Sequence, residues 1–312
     1  MRRRLSSLPR TAILAAANNR RLERVGRRYG MRLGASRFVA GETLDDCIST
    51  LHDLSARGLR SYAIVLGESV SDRAAVAEIV ETYQDVARRL GSEPLPATMA
   101  MKLTHLGLAI DEQLAFDNAR TILSVASEHD VFVRLDMEAS PFVDATLRIY
   151  RRLRAEGIDN TGVVLQAYLY RTEQDLLGLI DEVDLNVRLV KGAYLEPAAV
   201  AHPHKPDVDR NYLKLIDLAL GNAAFTAVAT HDDAAIVHAA RRIASAPDRL
   251  DGRYEFQLLH GVRPQLQSDL VAGGHPVRVC VPYGGDWYVY FGRRLAERPA
   301  NVLFVLRNLV RR

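Results

Sequence analysis

Two kinds of segment alternate along this chain from residue 61 onward. Each repeat begins with a short apolar run rich in β-branched residues, typical of a buried strand, and continues with a longer amphipathic stretch of helical periodicity. The predicted strands are residues 61–66, 98–103, 131–137, 162–167, 186–190, 227–230, 254–259 and 277–281. The predicted helices are residues 72–90, 111–129, 141–156, 173–182, 209–224 and 233–244.

Eight strands alternating with helices predict an α/β fold, a (β/α)8 barrel of about 250 residues. We therefore divide the chain into an N-terminal helical arm, residues 1–58, and a barrel, residues 59–312. A doubly wound sheet is the weaker alternative, because Leu66-Gly67-Glu68-Ser69 lacks the glycines of a dinucleotide-binding turn.

The predicted strands carry polar residues that we place at their carboxyl ends. Chemistry in (β/α)8 barrels occurs at that end, so these residues predict a site for a polar ligand. They are Glu68, Lys102, Asp136, Gln166, Arg188 with Lys191, Thr230 with His231, Glu255 with Gln257, and Arg278.

A pair of arginines near the C-terminus is a candidate carboxylate clamp. Arg293 and Arg294 follow Tyr290 by one helical turn and precede Glu297 by one turn. Guanidinium groups match carboxylate geometry, and Glu297 at i+3 and i+4 can orient them. A solvated surface pair is the alternative interpretation.

The first 37 residues hold eleven arginines and one acid, Glu23. Such an arm could contact nucleic acid or an anionic membrane surface, but basic segments are more often solvated helical extensions. The arm has no set of interleaved aromatic residues for base stacking, so we expect no nucleic acid partner. No apolar run approaches the ~20 residues of a membrane span, which predicts a cytoplasmic protein, with peripheral contact at the inner membrane face left open.

Cys47 and Cys280 have no metal-ligand spacing, so we expect reduced thiols and no metal.

Several ordered sequence blocks resemble those of the proline dehydrogenase family, both the monofunctional bacterial type and the corresponding domain of the bifunctional proline-utilisation proteins. The resemblance covers roughly residue 61 to the C-terminus and includes the segment with Arg293 and Arg294. The other blocks are Met101-Lys102-Leu103-Thr104, Leu135-Asp136-Met137-Glu138, Val164-Leu165-Gln166-Ala167-Tyr168, Arg188-Leu189-Val190-Lys191-Gly192-Ala193-Tyr194, Ala229-Thr230-His231-Asp232 and Glu255-Phe256-Gln257-Leu258-Leu259-His260-Gly261.

This resemblance implies a distorted barrel that holds FAD non-covalently. The implied reaction oxidises L-proline to Δ1-pyrroline-5-carboxylate by hydride transfer to flavin N5 and passes the electrons to a quinone. It is the first step of proline degradation to glutamate, and a separate pyrroline-5-carboxylate dehydrogenase is an implied partner.

The resemblance also implies roles for individual residues. Asp136 and Arg188 are the implied catalytic pair, with Arg188 beside flavin N5 and Asp136 paired with Lys102. The implied substrate contacts are Lys102, Arg293, Arg294, Tyr194, Tyr290, Leu259 and Cys280, with Glu297 orienting the arginines. The implied cofactor contacts are Met137, Gln166, Arg188, Lys191, Gly192, Ala193, Thr230 and His231.

Cys280 departs from the family pattern, in which many relatives carry tyrosine on this strand. The smaller thiol predicts a roomier pocket, so hydroxyproline or another cyclic imino acid remains an alternative substrate. Leu195 is a milder difference.

Three other functions fit parts of the pattern. Lys102 or Lys191 at a strand end could form a Schiff base, as in barrel aldolases. A folate-reductase-like flavin barrel would share the architecture, although the adjacent arginines favour a small carboxylate. A non-enzymatic adaptor acting through the basic arm is the third alternative.

Overall fold

The computed structural model describes residues 34–67, 70–182, 184–288 and 290–291. Residues 1–33, most of the predicted arm, and residues 292–312, which include Arg293, Arg294 and Glu297, lie outside this range, as does Glu68.

Eight parallel strands form a closed barrel in chain order, with β8 hydrogen-bonded to β1. The strands are β1 (Arg60–Val65), β2 (Ala97–Met101), β3 (Val133–Leu135), β4 (Thr161–Gln166), β5 (Asn186–Val190), β6 (Phe225–Ala229), β7 (Tyr254–Leu259) and β8 (Val277–Tyr283). The predicted (β/α)8 architecture is confirmed.

Helices follow the strands and cover the barrel. They are α1 (Leu44–Ser55), α2 (Arg73–Gly91), α3 (Glu112–Glu128), α4 (Val143–Ala155), α5 (Thr172–Glu182), α6 (Lys205–Asn222), α7 (Asp233–Ala244), α8 (Pro247–Leu250) and α9 (Pro264–Ala272). Several start at a residue whose side chain accepts a hydrogen bond from the first turn, as Thr43, Asp72 and Asp111 do. Among the described residues, no helix is long and apolar enough to span a membrane.

Helix α1 lies within the predicted arm and packs on the barrel against β1 and β8. Its buried face, including Cys47, Leu51 and Leu54, belongs to the main hydrophobic core. The division at residue 58 stays a prediction.

The strands bury both faces, one against the helices and one inside the barrel. On β3, Val133 and Leu135 join the main core with the helices, whereas Arg134 between them lines the barrel interior. Inside the barrel, Tyr62, Ala100 and Cys280 form a separate apolar cluster. This two-residue periodicity decides which side chains can meet near the barrel axis.

Two residues that we predicted at carboxyl strand ends lie at the opposite end. Glu255 and Arg278 are the second residues of β7 and β8, and Arg278 Nε lies 2.8 Å from Glu255 Oε1. Both residues belong to predicted strands, but the sequence analysis assigned them to the wrong end of the barrel.

Candidate active site

The carboxyl ends of the strands collect most of the predicted site residues. Lys102, Asp136 and Met137 follow β2 and β3, and Gln166 and Leu259 end β4 and β7. The loops after β5 and β6 begin with Lys191-Gly192-Ala193 and Thr230-His231. Because these strands are parallel neighbours in one barrel, their ends surround a common entrance.

Arg188 and Asp136 form an ion pair in the barrel interior. Arg188 Nη2 donates to Asp136 Oδ1, and the two side chains are 7% and 15% exposed. The Arg188 guanidinium also lies 5.2 Å from the centre of the Tyr62 ring. Burial alone disfavours the charge, but Tyr62, Asp136 and Cys280 outweigh it and raise the pKa of Arg188. Arg188 is therefore a permanent cation below the barrel entrance.

Lys102 does not pair with Asp136, and that predicted contact is wrong. Lys102 Nζ donates instead to the carbonyl of Gly67, at 3.1 Å. Asp136 is held by Arg188, from two strands away around the barrel. Within the described part of the chain, Lys102 forms no ion pair, so its ammonium group can serve an anionic ligand.

Glu138 is a buried carboxylate at the entrance that our sequence analysis did not select. It accepts hydrogen bonds from the backbone and hydroxyl of Thr104, at 3.0 and 2.6 Å. Burial raises its pKa. Gln166 Nε2 donates to the Glu138 carbonyl at 2.9 Å. Glu138 thus joins the loops after β2 and β3 and fixes the amide of Gln166. Glu138 belongs to the block Leu135-Asp136-Met137-Glu138, in which the sequence analysis assigned roles to Asp136 and Met137 but not to Glu138.

Lys191 lies between two carboxylates. Its Nζ is 2.5 Å from both Asp209 and Asp232, and Lys205 also contacts Asp209. Hydrogen bonds from Lys191 lower the pKa of Asp232. Burial alone would raise the pKa of Asp209, but hydrogen bonds from the two lysines outweigh it and lower the pKa. This cluster anchors the loop after β5 to the starts of α6 and α7.

Removing the Lys191 charge should change the acid dependence of stability. The lowered carboxylate pKa values mean that the cluster's stabilisation is present above the ordinary carboxyl pKa, ~4, and lost as pH falls through the lower folded values. K191M should therefore reduce the free energy of unfolding near neutrality by about 1 kcal/mol, given the partial exposure of the group. This difference from the unchanged protein should shrink towards pH ~3 in denaturant titrations. K214M, which breaks the more exposed pair with Glu173, is the matched control and should show a smaller difference; a K191M difference independent of pH would contradict the assignment.

Gly192 allows the loop after β5 to pass directly over Tyr168. Its φ is +111°, and a Cβ at this position would lie 2.2 Å from the Tyr168 ring. The same loop carries Glu196, which accepts hydrogen bonds from the backbone and hydroxyl of Ser140 at 2.7 and 2.5 Å. Glu196 and Ser140, which the sequence analysis did not identify, connect the loops after β3 and β5.

His231 supports the far side of the entrance. Its Nε2 accepts a hydrogen bond from the backbone N–H of Leu259 at 3.1 Å, and its carbonyl accepts one from Arg263 at 2.8 Å. Arg263 pairs in turn with Asp233 at 2.7 Å. The loops after β6 and β7 are thereby joined, and the predicted cofactor residue His231 and substrate residue Leu259 are in direct contact.

Cys280 lies inside the barrel beside Tyr62, its register partner on β1. Its side chain is buried, with Leu259 packed against the same cluster. A residue larger than Cys280 at this position would therefore lie beside the Tyr62 ring, which contacts Arg188. The effect of Cys280 on pocket size stays a prediction.

Tyr290 is the last predicted substrate contact that the structure describes. It packs at the edge of a cluster that includes Phe38, Trp287 and Phe291. Trp287 donates its indole N–H to Glu42 at 2.8 Å, which ties this segment to the start of α1. Tyr194 is partly buried and packs against the main core.

A closed (β/α)8 barrel with charged residues around its carboxyl end and a buried arginine beneath them is the arrangement typical of (β/α)8 enzymes. Comparison with known proteins identifies which group of enzymes this is. The family model for proline dehydrogenase matches residues 47–307, and the chain belongs to the proline dehydrogenase family.

Relatives with curated names match almost the whole chain. It is 40% identical over 303 residues to proline dehydrogenase 1 of Bacillus subtilis, covering 97% of this chain and 99% of the relative. It is 39% identical over 311 residues to proline dehydrogenase of Deinococcus radiodurans, covering 98% and 99%. The chain is therefore an enzyme of the proline dehydrogenase class, and its family supports a role in proline oxidation.

A solved structure shares the fold. Proline utilization A from Bdellovibrio bacteriovorus, inactivated by N-propargylglycine, superposes with a TM-score of 0.77 at 22% identity. The match covers 84% of this chain and 32% of the solved one, so this chain corresponds to about a third of that longer protein.

Proposed function

We propose that this enzyme oxidises L-proline to Δ1-pyrroline-5-carboxylate with a non-covalently bound FAD and passes the electrons to a quinone. The observation that carries the proposal is the buried, permanently charged Arg188 held by Asp136 beneath an entrance lined by the predicted cofactor and substrate residues. A separate pyrroline-5-carboxylate dehydrogenase would consume the product.

The residues at the entrance fit a flavin. The Arg188 Nε is buried and has no hydrogen-bond partner among the described residues, and Gln166 presents a fixed amide. Gly192 lets the loop after β5 pack on Tyr168, and the neighbouring Lys191, held by Asp209 and Asp232, would face the pyrophosphate. These residues, with Met137, Ala193, Thr230 and His231, would hold the cofactor.

The substrate carboxylate would bind through positive charge. Lys102 has no ion-pair partner among the described residues, and its Nζ donates to the Gly67 carbonyl just after β1. Arg293 and Arg294, oriented by Glu297, would complete the anion site in our interpretation of the sequence. Tyr194, Tyr290, Leu259 and Cys280 would enclose the proline ring and exclude water.

When bound, the flavin would accept the hydride that leaves the proline ring carbon beside nitrogen. Arg188 would act by charge alone, since its raised pKa keeps it protonated throughout the physiological range. Asp136 would hold the guanidinium in place and compensate its charge while the site is empty.

A Schiff-base mechanism is poorly supported at Lys191. Its Nζ is held between two carboxylates, so it is not free to reach a carbonyl carbon. Borohydride treatment with a keto substrate should leave no covalent adduct on Lys102 or Lys191.

A steady-state assay with a soluble quinone tests the proposed function. We expect proline-dependent quinone reduction, and the cofactor released by heating should be identified as FAD by chromatography. Activity with hydroxyproline in place of proline would change the proposed substrate. If a yellow, folded protein has no activity with any cyclic imino acid, the proposal is refuted.

A further inference from the structure

A cavity lies at the amino-terminal end of the barrel, opposite the proposed catalytic entrance. Its volume is about 160 Å³, and its lining includes Arg60, Thr98, Arg134, Glu255 and Arg278. Arg188, which is in the middle of β5, also lines it. A water molecule takes ~30 Å³ of liquid volume, so the cavity can hold a small polyatomic ion with accompanying water.

The positive charges around this cavity outnumber the carboxylates that face them. Glu255 is the acidic residue of the lining, and it is committed to Arg278, whose Nε lies 2.8 and 3.0 Å from its two oxygens. Arg60 lies 3.9 Å from the same carboxylate and is half exposed at the rim. Arg188 is neutralised from above by Asp136. One carboxylate therefore pairs with two arginines of the lining, and a third, Arg134, forms no ion pair in the described structure.

Arg134 is a buried cation without a carboxylate partner in the described structure. It is 5% exposed and donates to three neutral oxygens, those of the Asn186 carbonyl at 2.8 Å, the Asn186 side chain at 2.6 Å and the Val163 carbonyl at 3.4 Å. Burial and the nearby Arg188 charge lower its pKa to about 9, although the Glu255 charge acts in the opposite direction. It is therefore still charged at neutral pH, and a buried charge without a counterion is costly.

We propose that this basal cavity binds a small oxyanion, which supplies the counterion that Arg134 lacks. Guanidinium groups match oxyanions through paired N–H donors, and Arg60 at the half-exposed rim gives the ion a charged path from solvent. Because the cavity is at the other end of the barrel from the proposed flavin site, the inference does not depend on the proposed function.

The test measures the Tm of the full-length protein, purified with its cofactor, during titration with inorganic phosphate at constant pH and ionic strength. A specific site gives a saturable rise in Tm. R60Q should raise the half-saturating phosphate concentration by about two- to five-fold, the effect of one partly exposed charge. R57Q removes a similar exposed charge that does not line the cavity and should leave the response unchanged. A rise that never saturates, or that is equal in all three proteins, would refute the site.

A second pair of variants places the anion on the chain itself. Thr98 lines the cavity with its Oγ1 3.4 Å from Arg278 Nη1, so T98E puts a carboxylate among the arginines. T98E should have a higher Tm than the isosteric T98Q without phosphate, and phosphate should no longer raise it. If T98E is instead less stable than T98Q, the cavity does not require an anion and the proposal fails.

Discussion

Replacing Arg188 with methionine is expected to lower kcat/KM for proline by about 10²–10³-fold, the usual cost of losing one preorganised electrostatic contact in an active site. The physical reason is the loss of the buried guanidinium that Asp136 and the Tyr62 ring hold beneath the entrance. R188K, which keeps a charge but not the planar group, should recover part of the activity. Steady-state kinetics with proline measure the effect.

Loss of stability must be separated from loss of catalysis in this variant. R188M leaves the Asp136 carboxylate without its partner, which typically costs ~3–5 kcal/mol for a buried pair. The double variant R188M/D136N removes that unpaired charge, so it should recover thermal stability while its activity stays low. Recovery of activity together with stability would show that Arg188 has only a structural role.

Replacing Gly192 with alanine is expected to be among the most damaging small substitutions in the barrel. The added Cβ would lie 2.2 Å from the Tyr168 ring, and the residue would have to keep a φ of +111°. Backbone strain of ~1–3 kcal/mol and overpacking of ~1–3 kcal/mol both apply, so the free energy of unfolding should fall by about 2–6 kcal/mol. Chemical denaturation measures the change.

Gly157 provides the matched control for this effect. It also has a positive φ, +78°, but a Cβ there meets no atom within 4 Å. G157A should therefore show the backbone cost alone, and G192A should exceed it. Because Y168A removes the clash, it should cost less stability in G192A than in the unchanged protein. Equal costs of Y168A in the two backgrounds, or equal losses in G157A and G192A, would contradict the close approach.

The barrel was predictable because its signal is repeated eight times. Each strand combines a short apolar run with a following amphipathic segment, and errors of one or two residues at the ends do not change the count. Helices α8 and α9 were not among the predicted helices, and they have only four and nine residues. Helix α1 lies in the segment predicted as a helical arm, but its buried apolar face was not identified.

The strand ends were predictable from the sequence, but the contacts between their side chains were not. The strand pattern places Lys102 and Asp136 at neighbouring strand ends, yet it does not show which cation reaches the carboxylate. That choice depends on side-chain length and depth in the barrel, and Arg188 reaches Asp136. The same limit explains Glu255 and Arg278, which belong to predicted strands but lie at the amino-terminal end of the barrel.

Anaerobic titration of the purified protein with L-proline tests the central claim most directly. The proposal predicts a yellow protein whose visible flavin absorbance is bleached by proline in the absence of oxygen, with one proline consumed per flavin. Bleaching should be greatly slowed in R188M/D136N. A flavin spectrum that proline leaves unchanged, in a folded protein with its cofactor bound, would contradict the proposed reaction.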